Sequence, residues 1–232
     1  MHEREPAVSR SNLRTPLSDN AKKLLDSLGR PLSYRAGKVL FHQADPSTHV
    51  AFLIAGWVKV VSGAPSGEEA IIAIRGPGDV LGELSAIDGS PRSATVVALV
   101  DVDARVVPGE EFVNAVCGSP ELSRALLRHL AVNLRQSDRK RLEYLSTDTF
   151  QRLIALLVEM IGSYGHSAAD GAVEIRLPLS QQDMATAAAM SRPAVARGLR
   201  KLRERGLVET GGRYLVITRP ELLRAIHERA GG

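Results

Sequence analysis

The 232-residue sequence is poor in the groups that cross-link chains or hold metals. A single cysteine, Cys117, excludes an internal disulfide, a four-thiolate zinc site and a cysteine-ligated iron–sulfur cluster. No pair of histidines stands at the spacing that places two ligands on one helix face. No run approaches 18 apolar residues, and the opening MHEREPAVSRSNLR contains no apolar signal region; a soluble, cytoplasmic protein with no membrane contact is expected. With no metal cluster and no nucleophile set beside a base, no catalytic residue and no metal site is assigned, and an enzyme is not expected. Net charge is only +4, too little by itself to point to nucleic acid.

What is present is enough apolar material, 44% of residues, for one or two packed domains. Residues 1–15 are polar and aperiodic and read as a flexible arm. Leu17 to Leu28, opened by Ser18 and Asp19 and closed by Gly29, reads as a short helix. From Leu32 to Val107 the pattern changes to short β-branched runs broken by Gly, Pro and Asp: 38–41, 50–54, 57–61, 70–74, 94–97 and 104–107. Such spacing predicts a small antiparallel roll. Its turns fall at Gly56, Gly63, Gly67, Gly76 and Gly78. Trp57, His42 and His49 read as core or rim packing.

Within the roll, Gly78 to Val97 reads as a loop folded back on itself. Gly82 and Glu83 are followed nine residues after the Glu by Arg92 and Ser93, behind a Pro91 turn. One reading is a structural ion pair. The other gives Arg92 a phosphate to bind with its planar fork of donors, helped by Ser93 and the backbone amides of the turn, with Glu83 accepting from a ribose hydroxyl. At Gly82, Glu83, Leu84 and Arg92, Ser93, Ala94 the chain resembles the cyclic-AMP receptor protein and fumarate-nitrate regulator (CRP/FNR) superfamily, specifically its cyclic-nucleotide-binding branch. In that family the first triplet holds the ribose and the second the cyclic phosphate. Gly37 and Gly56 also stand where the family has glycine. The resemblance implies cyclic AMP as an allosteric ligand rather than a cofactor, with cyclic GMP, another ligand or a degenerate pocket as alternatives. The oxygen-sensing branch, which needs several cysteines, does not fit.

Residues 120–146 form one long helical pattern. Leu126, Leu130, Asn133, Ser137, Lys140 and Tyr144 fall on an a/d stripe, either packed on the helix's own domain or forming a parallel dimer seam. The resemblance implies that Ser137 and, from the second subunit, Asp138 contact the base of the nucleotide. Asp138 departs from the family's hydroxyl there, and as an acceptor-only group it suits the amino group of adenine or the edge of guanine.

After Ser146, capping residues introduce a helix from Phe150 to Ile161, and Ala172–Leu177 resembles a strand. Ser180 and Asp183 make a near-capping box, and Ser191 caps a second helix with Val195, Leu199 and Leu202 on its apolar face. Six basic residues and one acid lie between Arg192 and Arg205. This is a helix-turn-helix with a basic second helix, followed by a hairpin wing around Gly211-Gly212. A protein-interaction module is the alternative. Arg192 and Arg197 fall on the face opposite the core, suited to guanine; Ser180, Gln181, Ser191, Arg200 and Lys201 suit the backbone and its surroundings. Pro193 stands where the family usually has Glu, which puts the family's usual half-site in doubt.

The expected class is α+β: an N-terminal cyclic-nucleotide-binding β-roll (16–119) after the arm (1–15), a long dimerisation helix (120–147) and a C-terminal winged helix-turn-helix (148–232). The expected partners are double-stranded DNA with a palindromic operator and a second copy of the chain; RNA polymerase is a further candidate.

Overall fold

The computed structural model describes residues 17–63, 69–146, 148–177, 179–211 and 214–230. They divide into two compact units, and the division falls inside the long helix, between Asp138 and Arg139, rather than at the end of that helix.

The first unit begins with α1 (Asp19–Ser27), where the Ser18 side chain accepts from the Ala21 amide and caps the free N–H groups of the first turn. Eight strands follow: β1 (Arg30–Tyr34), β2 (Val39–Phe41), β3 (Val50–Ala55), β4 (Val58–Gly63), β5 (Glu69–Arg75), β6 (Val80–Leu81), then α2 (Glu83–Asp88), β7 (Thr95–Ala98) and β8 (Val102–Val107). They form two antiparallel sheets, ordered β1-β8-β3-β6 and β2-β7-β4-β5. Side-chain alternation divides β3 between two cores. Ala51 and Leu53 join Leu40, Phe41, Val58, Val96 and Ala98 inside the roll; Val50 and Phe52 point the other way, onto helices.

Those helices are α1, α3 (Gly109–Gly118) and α4 (Pro120–Ser146). Phe112, Leu122, Ala125 and Leu126 are buried with Leu25, Val50 and Phe52 in one cluster. At about 25 cal/mol per Å2 this burial, not helix propensity, holds the elements together.

All six expected strands are present within two residues at each end. The stretch from Gly78 to Val97 is not a loop throughout: it holds β6 and α2, and its last strand starts at Thr95. Of the predicted turn glycines, Gly67 lies outside the described residues.

In the second unit Asp148 caps α5 (Thr149–Tyr164) by accepting from the Gln151 amide at 2.9 Å. A small sheet of β9 (Gly165–Ser167), β10 (Val173–Ile175), β11 (Val208–Thr210) and β12 (Leu215–Ile217), ordered β11-β12-β10-β9, flanks α6 (Gln181–Ala187) and α7 (Arg192–Glu204). A final helix, α8 (Pro220–Ala230), follows the wing. Gly198 sets how closely α7 lies on α5, since a Cβ there would meet Leu153 Cδ2 at 2.4 Å. Among the described residues no helix is long and apolar enough to cross a membrane, and no three His, Cys, Asp or Glu side chains gather to hold a metal.

Candidate ligand pocket and nucleic-acid interface

Arg92 is the centre of the roll's polar cluster and is only 4% exposed. Its backbone ties two segments together: the Arg92 amide donates to the Asp45 carbonyl and its own carbonyl accepts from the Ala44 amide, both at 2.9 Å. The guanidinium then turns inward. Nε donates to Ser47 Oγ at 3.2 Å, Nη1 to the Gly82 carbonyl at 3.0 Å and Nη2 to the His49 carbonyl, while its Cζ lies 4.1 Å from the centroid of the Phe41 ring. Three of the five N–H groups are thereby engaged, leaving one on each Nη.

Burial pulls the Arg92 guanidinium below its usual pKa, opposed by the charges of Asp45 and Glu83. The Ser47 amide and hydroxyl hydrogen-bond the Asp45 carboxyl and hold it below the usual carboxylate range. Gly82 is required here twice over. Its φ is +78°, in the left-handed region, and a Cβ would sit 2.3 Å from Arg92 Nη1.

Glu83 opens α2 and is buried at 8% exposure. Burial raises its pKa above the ordinary value; a backbone hydrogen bond and the charges of Arg75 and Arg92 oppose this, and Asp79 adds to it. Asp79 is itself buried and accepts from the Gly76 amide at 2.8 Å. The cluster therefore gathers buried Arg92 with two buried carboxylates, and the charge of Arg75 acts on one of them. A hydroxyl-bearing anion meets both an acceptor and a cation there.

The structure brings Gly82, Glu83 and Arg92 together as the sequence predicts. Ala94 is buried, whereas Leu84 and Ser93 are exposed. Ser137 and Asp138 are exposed on α4 and hydrogen-bond to none of Glu83, Arg92 and Ser93. Sequence reasoning missed Asp45, Ser47 and Arg75. The Asp-Pro-Ser run was the available signal for the first two, since an Asx turn of this kind is written locally. His49 is half-buried with its ring edge-on to Phe41 at 5.0 Å, as a rim residue would be, but its carbonyl also holds Arg92.

The start of the helical stripe takes one of its two expected arrangements, packing on the helix's own domain. Leu126 is buried in the unit's own core, with Leu130 packed partly against it, and Asn133 is hydrogen-bonded to Arg75. The exposed apolar residues are Leu127, at 68%, and Leu134, at 64%, seven residues apart and one position along. The side chains of Lys140 and Tyr144 lie outside the described residues.

At the other end, Ser180 and Asp183 complete a capping box: each backbone amide donates to the other's side chain at 3.0 Å, and Ser180 Oγ donates to Asp183 at 2.6 Å. The Ser180 hydroxyl is thus committed to the cap. Ser191 caps α7 by accepting from Ala194, and Pro193 occupies the first turn, where no intrahelical amide is lost. Val195, Gly198, Leu199 and Leu202 are buried, while Gln181, Arg192, Pro193, Arg197, Arg200 and Lys201 are exposed. Lys201 Nζ lies 4.5 Å from the Phe150 ring centroid. The hairpin residues Gly212 and Arg213 lie outside the described residues. The result is a cationic, solvent-facing helix on an apolar base, the form a polyanion requires.

Sequence comparison agrees with both halves. The family model of the cyclic nucleotide-binding domain matches residues 31–116, and that of the Crp-like helix-turn-helix domain matches 151–226. The CRP-like cAMP-activated global transcriptional regulator of Mycobacterium tuberculosis is 27% identical, over 93% of this chain and 96% of that protein. The global nitrogen regulator of a Nostoc species is 31% identical, over 82% and 86%. The structure of FixK2 from Bradyrhizobium japonicum superposes with a TM-score of 0.75 at 23% identity, covering 85% of this chain and 96% of that one. The chain belongs to the CRP/FNR superfamily of DNA-binding transcription regulators, which are not enzymes.

Proposed function

We propose that this protein is a homodimeric transcription regulator whose DNA affinity is set by a cyclic nucleotide, cyclic AMP first and cyclic GMP second, bound in the roll. The observation that carries the reading is the juxtaposition of buried Glu83 and buried Arg92 across Gly82. The cyclic phosphate takes the remaining N–H groups of Arg92 together with Ser93, and Glu83 accepts from the ribose hydroxyl. The relative from M. tuberculosis, named as cAMP-activated, supports the choice of ligand.

Leu127 and Leu134 repeat at heptad spacing and supply the apolar part of a parallel seam with a second copy. Ser137 and the partner copy's Asp138 then reach the base. The ligand acts by binding one arrangement of the helices better than the other. With two recognition helices about one DNA turn, roughly 34 Å, apart, the operator is palindromic. Arg192 and Arg197 read bases; Arg200 and Lys201 meet phosphates.

Calorimetric titration of cyclic AMP and, separately, cyclic GMP into nucleotide-free protein tests the reading. Micromolar or tighter binding of one is expected. No heat from either would overturn it, in favour of the second reading, a regulator that answers to another ligand or to none. Two observations favour that alternative: Arg92 already satisfies three acceptors of its own chain, and one relative is a nitrogen regulator.

A further inference from the structure

The last helix, α8, presents three different faces. Leu223 is fully buried in the second unit, while Glu221, Arg224 and Glu228 are exposed. The remaining stripe, Leu222, Ala225, Ile226 and Arg229, has the spacing of one helix face and lines an open groove of about 210 Å3. Leu222 is 42% exposed there. At about 100° per residue, the two acids of α8 fall about 100–120° round the helix from Leu222. No Asp or Glu among the described residues lines the groove.

The facing wall is the turn after α7. Arg205 and Gly206, the latter at φ +62°, reverse the chain into Leu207, whose amide donates to the Leu202 carbonyl at 3.0 Å. Thr218 bonds this turn twice, its amide to the Leu207 carbonyl at 3.1 Å and its hydroxyl to the Gly206 carbonyl at 2.6 Å. The next residue, Arg219, therefore joins Arg205 at the groove. Arg219 precedes α8 and Arg229 lies in its last turn, about 15 Å further along the axis. Among the described residues none of these three guanidinium groups has a hydrogen-bond or ion-pair partner. Arg203 on α7, by contrast, is bound to Thr210 at 2.9 Å.

Three such cations around an apolar floor define what fits. The volume, about 210 Å3, is below the roughly 300 Å3 at which small-molecule pockets begin, so the groove takes one or two apolar side chains rather than a whole ligand. A phosphate backbone would meet the cations but leave the apolar strip uncovered. The side chains assigned to DNA bases lie at the other end of α7, with Arg192 about 20 Å from Arg205 along the helix.

We propose that this groove is the docking site for an acidic amphipathic helix of a partner protein, which lays apolar side chains on Leu207, Leu222 and Ile226 and carboxylates on Arg205, Arg219 and Arg229. The protein then holds DNA at one end of α7 and its partner at the other.

Fluorescence anisotropy of a labelled peptide tests it, on the full protein alone and on the protein bound to a palindrome selected from a random library. The peptide has about 18 residues, long enough for helix formation, with leucines on one face and glutamates a turn beyond them at either end. Micromolar binding is expected in both cases. Arg219→Glu should weaken it about tenfold or more and Leu222→Ser, which keeps the charge, about fivefold. Arg224→Glu, the same charge change on another face of α8, should cost about twofold or less. All three positions are exposed, so each variant keeps the wild-type thermal transition. Equal losses in Arg219→Glu and Arg224→Glu, or no loss in Leu222→Ser, overturn the proposal in favour of unspecific attraction. Displacement of the peptide by the palindrome overturns it by assigning the cations to nucleic acid. A changed oligomeric state of Leu222→Ser in sedimentation overturns it in favour of a second copy, and binding of decanoate without binding of the peptide in favour of a small carboxylate. Absence of peptide binding to the wild type overturns it outright.

Discussion

The arginines of the two units are held in opposite ways. Arg92 is buried, stacked on Phe41, and bonded to three acceptors of its own chain. Arg192, Arg197 and Arg200 project from α7 into solvent above an apolar base of Val195, Leu199 and Leu202. A buried cation is costly unless its surroundings are built for it, so it serves one site with fixed geometry. An exposed cation keeps its full hydration and can meet any polyanion, with specificity supplied by position along the helix. Mutations should therefore separate the two kinds of arginine by what they damage.

The largest effect is expected at Arg92. Arg92→Ala leaves the Gly82 and His49 carbonyls and the Ser47 hydroxyl without their donor; at about 1–3 kcal/mol for each buried group left unsatisfied, thermal unfolding should show a loss of roughly 3 kcal/mol or more. Nucleotide affinity should fall tenfold or more in the same protein. A stable Arg92→Ala variant would mean the guanidinium is not integrated as its contacts imply.

Arg197→Ala should do the reverse. Stability should stay within about 0.5 kcal/mol, while discrimination at one base pair falls by about 1–3 kcal/mol, read by competition among operator variants. A uniform loss across all sequences would reassign Arg197 to a phosphate.

Ser180→Ala removes one half of a closed capping box and should destabilise the second unit by about 1 kcal/mol, visible in its thermal transition. DNA discrimination should change less than in Arg197→Ala. An unchanged melting temperature would reduce the cap to an incidental contact.

The smallest and most diagnostic effect concerns Glu83. Its folded-state pKa is raised, chiefly by burial, so the folded protein holds this proton more tightly than the unfolded chain, and ionisation costs stability as pH rises above the ordinary carboxyl range. Glu83→Gln should thus melt higher than wild type at neutral pH, by roughly 2–4 °C per kcal/mol relieved. The gap should close at pH values below about 4, where the carboxyl is protonated in both states. The same variant should bind nucleotide more weakly, a stability gain set against function. A gap independent of pH would place its cause outside this carboxyl.

Where a local signal existed, sequence reading reached the right elements. The helix-turn-helix was legible because both caps, Ser180 with Asp183 and Ser191, stand beside the helices they open, and the apolar face of α7 keeps its period. Glu83 and Arg92 were legible as a motif. In contrast, α2 is six residues long behind a glycine and shows no period, and β1 carries Pro31 and is almost wholly exposed. α8 had its signal, Pro220 and Glu221 in the first turn. The stripe on α4 was legible as a packing face but not as to its partner, because periodicity alone does not say which neighbour a helix faces. Arg75 was invisible for a deeper reason: its partners come from distant parts of the chain, and only the fold brings them together.

The measurement that reaches the central claim most directly is DNA affinity at fixed salt for a palindrome selected by the protein from a random library, titrated with and without saturating cyclic nucleotide. A shift of about fivefold or more in either direction, abolished by Arg92→Ala, is predicted. Identical affinities with cyclic AMP, cyclic GMP and no nucleotide would contradict it.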